Sequence, residues 1–131
     1  MTSDTSNPFE AILQQYRPNL SQYEALYKHF HEHPELSTLE AETAQNVVHT
    51  LRSLSDDLDI KEGIGRHGVV AILRNGPGKT VLLRADMDAL PVKENTGLDY
   101  ASTATMEDVD GEVKPVMHGK LYPGVFPPSS S

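Results

Sequence analysis

The chain contains no cysteine and no tryptophan among its 131 residues. The absence of cysteine excludes disulfides, a thiolate nucleophile and any cysteine-ligated metal. Basic residues are few, 11 against 19 acidic ones, and this balance argues against nucleic acid and anionic membranes as partners. No stretch approaches the ~20 apolar residues of a membrane span, and the opening MTSDTSNPFE lacks the features of a signal peptide. The sequence therefore predicts one cytoplasmic domain, with neither nucleic acid nor a membrane as its partner.

Three segments in the first half of the chain have helical periodicity. The first begins at Asn7-Pro8, a typical cap followed by a first-turn proline, and ends at Arg17-Pro18. The second helix is predicted from about Leu20 to Glu32. Ser37-Thr38-Leu39-Glu40 matches a capping box, which predicts a third helix over roughly Thr38 to Leu54.

The pattern then changes to strand-like runs. LDIKEGI (58–64), GVVAILR (68–74) and TVLLRADMD (80–88) are predicted strands. The short NGPGK connection predicts that the last two pair as an antiparallel hairpin. Their faces are both apolar, as in a sheet covered by helices on each side. The predicted fold class is therefore α/β, with two or three helices followed by a β-hairpin of a mixed sheet, whereas the chain from Glu94 onward is polar with few apolar anchors.

Two glycine motifs suggest a small nucleotide-binding protein as one alternative. GIGRHG (63–68) has the spacing of a dinucleotide-binding loop, and GPGKT (76–80) resembles the end of a phosphate-binding loop. Both kinds of loop need a helix directly after them, because its N-terminus holds the phosphate. Here a β-type run follows each motif, so we interpret both as turns.

His29 and His33 lie one helical turn apart, a spacing that a metal ion could use. The pattern lacks the glutamate that follows the first histidine in zinc-binding H-E-x-x-H helices, and Pro34 ends the helix beside the second. Histidines also suit the end of a helix, where the helix dipole favours positive charge. We therefore interpret this pair as an ordinary helix terminus.

Asp86 and Asp88 stand at the end of the last apolar run. Residues two apart on a strand share a face, so both carboxylates would point into one pocket, and Arg84 on the same face can pair with one of them. Two like charges in one pocket require further positive charge nearby. From the residues alone, the alternative is a pair of solvated turn carboxylates beside Pro91.

Several segments together resemble one family of metallo-amidohydrolases. FHEHPELSTLEAET, GRHGVVAIL and above all VLLRADMDALPVKENTGLDYAS are similar to aminoacylases, hippurate hydrolases and indole-acetyl-amino-acid hydrolases, which are related to zinc carboxypeptidases. The resemblance covers about residues 20–118. It implies that residues 1–118 form the N-terminal part of an α/β/α metallopeptidase catalytic domain, which is incomplete here because full members of the family are much longer.

The resemblance also implies a reaction. The family hydrolyses amide bonds in N-acyl amino acids or peptides with two divalent metals, manganese or zinc, and the complete enzyme would bind such a small molecule and could form a homo-oligomer. Asp88 matches a carboxylate that orients a metal ligand from outside the coordination sphere, so it would be a vestigial catalytic residue here. Asp86 occupies the position of a ligand histidine in relatives. The metal centre would then supply the positive charge that the two carboxylates require.

The resemblance ends at His118. The family continues with the ligand-bearing segment Ala-Cys-Gly-His-Asp, whereas this chain continues with GKLYPGVFPPSSS. His118 precedes the ligands in the family motif and is not one itself, so we predict no metal ligand and no bound cofactor in this chain. We expect residues 119–131 to be a divergent, disordered tail and the chain to be an inactive fragment. The alternative is a non-catalytic interaction fragment that pairs with a full-length homologue through open sheet edges.

Overall fold

A computed structural model describes residues 8–119, and three helices form the first half of this range. They are α1 (Pro8–Tyr16), α2 (Ser21–Glu32) and α3 (Ala41–Leu54). The predicted ends of the first two helices are confirmed to within one residue. The predicted tail lies outside the described residues except for Gly119.

Helix α1 does not bury the apolar stripe that its sequence periodicity creates. The side chains of this stripe are 53–70% exposed; they are Phe9, Ile12, Leu13 and Tyr16. A helix is stabilised mainly by packing of such a face rather than by its intrinsic propensity. Among residues 8–119, these side chains therefore remain mostly exposed, in contrast to the buried face that the periodicity predicts.

The predicted capping box at the start of α3 is wrong. Thr38 has a φ of +70° and cannot belong to a helix, and α3 begins only at Ala41. The Glu40 side chain accepts a hydrogen bond from the Thr38 N–H at 2.8 Å, so this glutamate reaches back to Thr38 rather than to Ser37. Glu40 occupies the N-cap position without a side-chain capping bond of its own.

Glu35 caps α3 from outside the helix instead. Its Oε1 accepts a hydrogen bond from the Glu42 N–H at 3.1 Å, and its Oε2 accepts one from the Thr43 N–H at 2.6 Å. The first N–H groups of a helix have no partner within the helix, and a carboxylate there is also favoured by the helix dipole. One carboxylate thus satisfies two of these donors in the first turn.

Strands β1 (Leu58–Ile64) and β2 (Gly68–Leu73) form an antiparallel hairpin that packs against α3. Leu58 is paired with Leu73, and the register is irregular between Lys61 and Ile64. The first glycine motif forms the turn of this hairpin, as predicted, with Gly65 at a φ of +62°. The mixed α/β class is confirmed, and the arrangement is that of part of a domain.

The predicted pairing of β2 with residues 80–88 is wrong, because β2 pairs with β1 and residues 80–88 are not a strand. A strand that is apolar on both faces is stable only between covered neighbours. In the described part of the chain this run has no such neighbours, and Val81, Leu82 and Leu83 are 83%, 86% and 92% exposed. Residues 80–88 therefore do not form a strand here, although their composition favours one.

A second hairpin, which the sequence pattern did not predict, consists of β3 (Thr105–Glu107) and β4 (Val113–Pro115). Its turn contains Asp110-Gly111, a dipeptide that favours hairpins. The Lys114 ammonium contacts the carboxylates of Asp108 at 2.9 Å and Asp110 at 2.5 Å. These contacts hold the turn closed and lower the pKa of both aspartates.

The small core joins distant parts of the chain. It consists of the buried side chains of Leu36, Ala89 and Val116, against which Leu39 and Met106 pack. Leu36 forms a parallel bridge with Ala89, and the neighbouring Leu90 forms an antiparallel bridge with Met117. These bridges place the residues around Asp88 beside those around His118, although about thirty positions separate them in the sequence.

Candidate functional site

A cavity of about 340 Å³ lies beside this core, between α2, α3 and the two bridged segments. Its apolar walls are formed by Tyr27, Phe30, Val47, Ala85 and Met87. Its polar side chains are His31, Thr43, Asp86 and His118, and Gly119 completes the lining. The cavity is therefore mostly apolar with a few convergent polar groups, the usual composition of a small-molecule site.

Asp86 lies in the wall of the cavity, and Asp88 does not. The Asp86 Oδ1 accepts a hydrogen bond from the Arg84 guanidinium at 2.7 Å, so the predicted pairing of Arg84 with one aspartate is confirmed. Both side chains of this pair are largely exposed, which makes the pair a weak contribution to stability. The common pocket expected for Asp86 and Asp88 depended on a strand, and that strand is absent from the described structure.

His118 contributes an imidazole to the same cavity and lies close to Asp88. Its Nε2 is buried and has no hydrogen-bond partner among residues 8–119. Burial and the nearby charge of His31 lower the pKa of His118, while a backbone hydrogen bond with Asp88 and the charge of Asp88 oppose that shift. The net effect of this environment is to lower the pKa of His118, which disfavours its charged form relative to an exposed histidine.

A buried contact between a histidine and a glutamate behind the cavity was not predicted. The His31 Nε2 contacts the Glu94 Oε1 at 2.8 Å, and the two side chains are 4% and 0% exposed. The Glu94 carboxylate also accepts hydrogen bonds from the Thr96 hydroxyl and, at 2.5 Å, from the Ser102 N–H. Burial alone would raise the pKa of Glu94, but the hydrogen bonds from Thr96, His31 and Ser102 outweigh it and lower the pKa.

This network links α2 to the segment that carries His118. The Ser102 hydroxyl donates a hydrogen bond to the Val116 carbonyl oxygen at 2.7 Å, and Val116 precedes His118 by two residues. Sixty-three positions separate His31 from Glu94, and neither residue belongs to a local motif. Only knowledge of the tertiary contacts could have identified this pair.

His29 and His33 lie in the last turn and at the C-cap of α2, respectively. The rings of His29 and His33 lie with their centroids 4.5 Å apart and their planes tilted by 30°. The His33 Nδ1 is hydrogen-bonded to the His29 carbonyl oxygen at 2.9 Å, so this ring satisfies a backbone group at the end of its helix. The geometry agrees with the interpretation of this pair as a helix end.

The described residues do not fit a complete metal centre. Between residues 8 and 119 no three histidine, aspartate or glutamate side chains converge on a point where a metal ion could sit. The cavity is lined by three residues of types that can bind a metal ion: His31, Asp86 and His118. Of these, the His31 ring contacts Glu94 and the Asp86 carboxylate is bonded to Arg84. Structural and catalytic metals of this type need three or four protein ligands.

Comparison with known proteins identifies several relatives of this chain. It is 49% identical over 90 residues to thermostable carboxypeptidase 1 of Saccharolobus solfataricus, which is 67% of this chain and 20% of the relative. It is 40% identical over 75 residues to an N-acyl-L-amino acid amidohydrolase of Geobacillus stearothermophilus, 57% of this chain and 20% of that protein. It is 42% identical over 82 residues to hippurate hydrolase of Campylobacter jejuni, 62% of this chain and 21% of that enzyme.

These matches agree with the resemblance carried by the sequence motifs. The chain spans about a fifth of the length of the curated relatives it matches. It matches no family model. In residues 8–119 no helix has the length and apolar character needed to cross a bilayer. The identities establish that this chain belongs to the family of aminoacylase-like amidohydrolases and carboxypeptidases and corresponds to part of such a protein.

Proposed function

We propose that the chain supplies part of the catalytic domain of an enzyme that hydrolyses the amide bond of N-acyl amino acids or peptides. The observation that carries the proposal is the position of Asp86, beside the Asp88 motif and in one cavity with His118. That cavity combines an apolar wall, suited to an acyl chain or side chain, with a carboxylate and an imidazole. The names of the relatives point to the same substrates.

Within this proposal Asp88 is a positioning residue rather than a group that touches the substrate. The family assigns the matching carboxylate to the support of a metal ligand, and such supporting carboxylates orient the ligand and raise its basicity. Asp86 is assigned to the wall of the site, where Arg84 offsets its charge. Manganese or zinc would be the metal of the complete enzyme, and it would activate the attacking water there.

The chain alone is proposed to be inactive. Its described residues hold no complete ligand set for a metal ion, and hydrolysis by this route depends on the metal pair. We propose residues 1–118 as the part of the chain that belongs to the catalytic domain and residues 119–131 as a divergent tail. The cytosol is the proposed compartment.

A chimera tests the role of this segment. Residues 20–118 would replace the matching segment of the Campylobacter jejuni hippurate hydrolase, and hydrolysis of hippurate would be measured. An active chimera in which Asp88→Asn lowers kcat by about 10–100-fold would support the assignment of Asp88. Asp99→Asn is the matched control and should leave kcat within about twofold. An active chimera that is insensitive to Asp88→Asn would refute the role of Asp88.

A second candidate function is favoured by the exposed apolar run at residues 81–83 and by the unpaired edge of β2. A fragment with these features could pair with a full-length homologue by adding a strand to its sheet. Titration of the chain into a full-length relative separates the two candidates. A stable complex with altered activity would favour the interaction fragment, and the absence of a complex would favour the catalytic piece.

A further inference from the structure

The connection after β2 contains the dipeptide Asn75-Gly76, and neither residue is held by the structure. Both are exposed and lie outside any helix or strand. Gly76 has a φ of +95°, and no atom lies within 4 Å of the place where a Cβ would be. Among the hydrogen bonds of residues 8–119, none is made by the Gly76 N–H or by the Asn75 side chain. The Gly76 nitrogen can therefore approach the Asn75 side chain without steric hindrance.

We infer that Asn75 is a site of spontaneous deamidation. The Gly76 backbone nitrogen loses its proton and attacks the Asn75 Cγ, so a N–Cγ bond forms, the Cγ–Nδ2 bond breaks and ammonia leaves. Water then opens the resulting five-membered imide at either carbonyl. One opening gives aspartate at position 75, and the other gives isoaspartate, in which the backbone runs through the side chain. The net reaction takes up one water molecule and releases one ammonia; hydroxide acts as a catalyst that is regenerated, and no oxidant or enzyme is needed.

The other described asparagines lack this combination of features. The Asn19 Oδ1 accepts a hydrogen bond from the Ser21 N–H at 3.1 Å, and Leu20 follows it. Asn46 lies inside α3, where the backbone cannot fold into the imide. Asn95 is followed by the β-branched Thr96, which crowds the attacking nitrogen. Asn19 and Asn95 are exposed as well, so Asn75 differs from them by the glycine that follows it, and from Asn46 by its place outside a helix.

The Asp110-Gly111 dipeptide provides a contrast within the same molecule. The Gly111 N–H donates a hydrogen bond to the Asp108 carbonyl oxygen at 2.9 Å, so its nitrogen is not available for attack. The Asp110 carboxylate is bonded to the Lys114 ammonium at 2.5 Å and to the Glu112 N–H at 3.0 Å. The same imide chemistry at this position requires three contacts to break first. We therefore expect this dipeptide to be preserved while Asn75-Gly76 reacts.

The product differs from the starting chain in charge and in backbone. A carboxylate replaces the neutral amide, which makes a chain of formal charge −8 more acidic by one unit. Isoaspartate adds a methylene to the backbone in the connection between β2 and residues 80–88. The modification therefore acts on the segment that leads to Asp86 and Asp88.

Mass spectrometry of the intact, ageing chain tests this inference. The purified chain is incubated at neutral and mildly alkaline pH, and the Lys-C peptide 62–79 is followed over time, because Asn75 is its single asparagine. We expect a mass gain of about one dalton in this peptide, with aspartate and isoaspartate products resolved by chromatography. The rate at Asn75 should exceed that at Asn19, Asn46 and Asn95 by about tenfold or more and should rise with pH.

Two variants and one matched control complete the test. Asn75→Gln should abolish the mass gain in the peptide, because its longer side chain disfavours the five-membered ring. Gly76→Ala should slow the reaction about tenfold, whereas Gly97→Ala, at another left-handed glycine, should leave the Asn75 rate unchanged. A rate at Asn75 equal to that at Asn95, or an unchanged rate in Gly76→Ala, would overturn the inference.

Discussion

At the scale of single residues, the Glu94 carboxylate is the most constrained polar group near the cavity. It is fully buried and bonded to His31, Thr96 and Ser102. A buried carboxylate is stable only when hydrogen bonds and a positive partner replace its lost hydration. Ser102 donates hydrogen bonds both to Glu94 and to the carbonyl oxygen of Val116, which lies two residues before His118. A chain of hydrogen bonds therefore links the Glu94 carboxylate to the segment that carries His118.

His118 should titrate below its ordinary pKa of 6.5. Its folded-state pKa is lowered by burial and by His31, so the unfolded chain binds protons more readily, and stability falls as the pH decreases from 6.5 towards the folded-state pKa. The lowered pKa of Glu94 acts in the same direction at more acidic pH, below its ordinary value of 4.5. Both groups therefore predict that acid destabilises the fold.

A proton NMR titration of the His118 ring measures this shift directly. In His31→Gln the Gln side chain keeps an N–H donor for Glu94 but removes the neighbouring positive charge, so the midpoint of His118 should move upwards. A titration midpoint of His118 at or above 6.5 in the wild-type chain would contradict its burial next to the charge of His31.

At the scale of secondary-structure elements, local signals predicted the helices and long-range contacts decided the strands. The ends of α1 and α2 follow from Pro18 and Pro34, which act on their immediate neighbours. The start of α3 was predicted incorrectly because Glu35, which caps it, lies seven and eight residues before the amides it binds. A capping pattern of four residues, here 37–40, cannot reveal such a contact.

Glu35→Ala should weaken the first turn of α3. The substitution leaves the N–H groups of Glu42 and Thr43 without their acceptor, at a cost of about 1 kcal/mol. Hydrogen exchange of these two amides should accelerate by roughly fivefold. Ser37→Ala, at the position that the sequence pattern marks as the cap, is the control and should leave exchange unchanged. Faster exchange in the Ser37 variant alone would restore the capping box.

The strand prediction for residues 80–88 failed for a different reason. The run has the composition of a central strand, and strand formation depends on neighbours that cover both faces. The aspartate motif at its end was nevertheless recognisable, because the order of its residues is a local property. The His31–Glu94 pair was not recognisable, because more than sixty positions separate the two residues. The place of His118 in the cavity was not recognisable either, because it depends on a bridge between segments about thirty positions apart.

At the scale of the whole molecule, the described part of the chain has a small core and much exposed apolar surface. Three apolar side chains form the buried cluster, while residues 81–83 and the stripe of α1 remain exposed. Folding stability comes mainly from apolar burial, and an unpaired apolar strand promotes association. We therefore expect weak cooperativity in unfolding and a tendency to aggregate.

Leu82→Lys should reduce this aggregation, because it places a charge in the middle of the exposed apolar run. Light scattering over a concentration series measures the effect, with the apparent mass of the wild-type chain rising with concentration. Val109→Lys adds the same charge at another exposed apolar residue, in the β3–β4 turn, and should change little. A monomeric wild-type chain at every concentration, with a sharp two-state thermal transition, would disprove this expectation.

We propose that Asp86 and Asp88 belong to an amidohydrolase centre for which residues 8–119 hold no complete set of metal ligands. The most direct measurement is hydrolysis of N-acyl amino acids by the purified chain with added manganese or zinc, using a full-length hippurate hydrolase as the positive control. We predict no product above the metal-only blank. Sustained turnover accompanied by tight uptake of two metal ions per chain would contradict the claim.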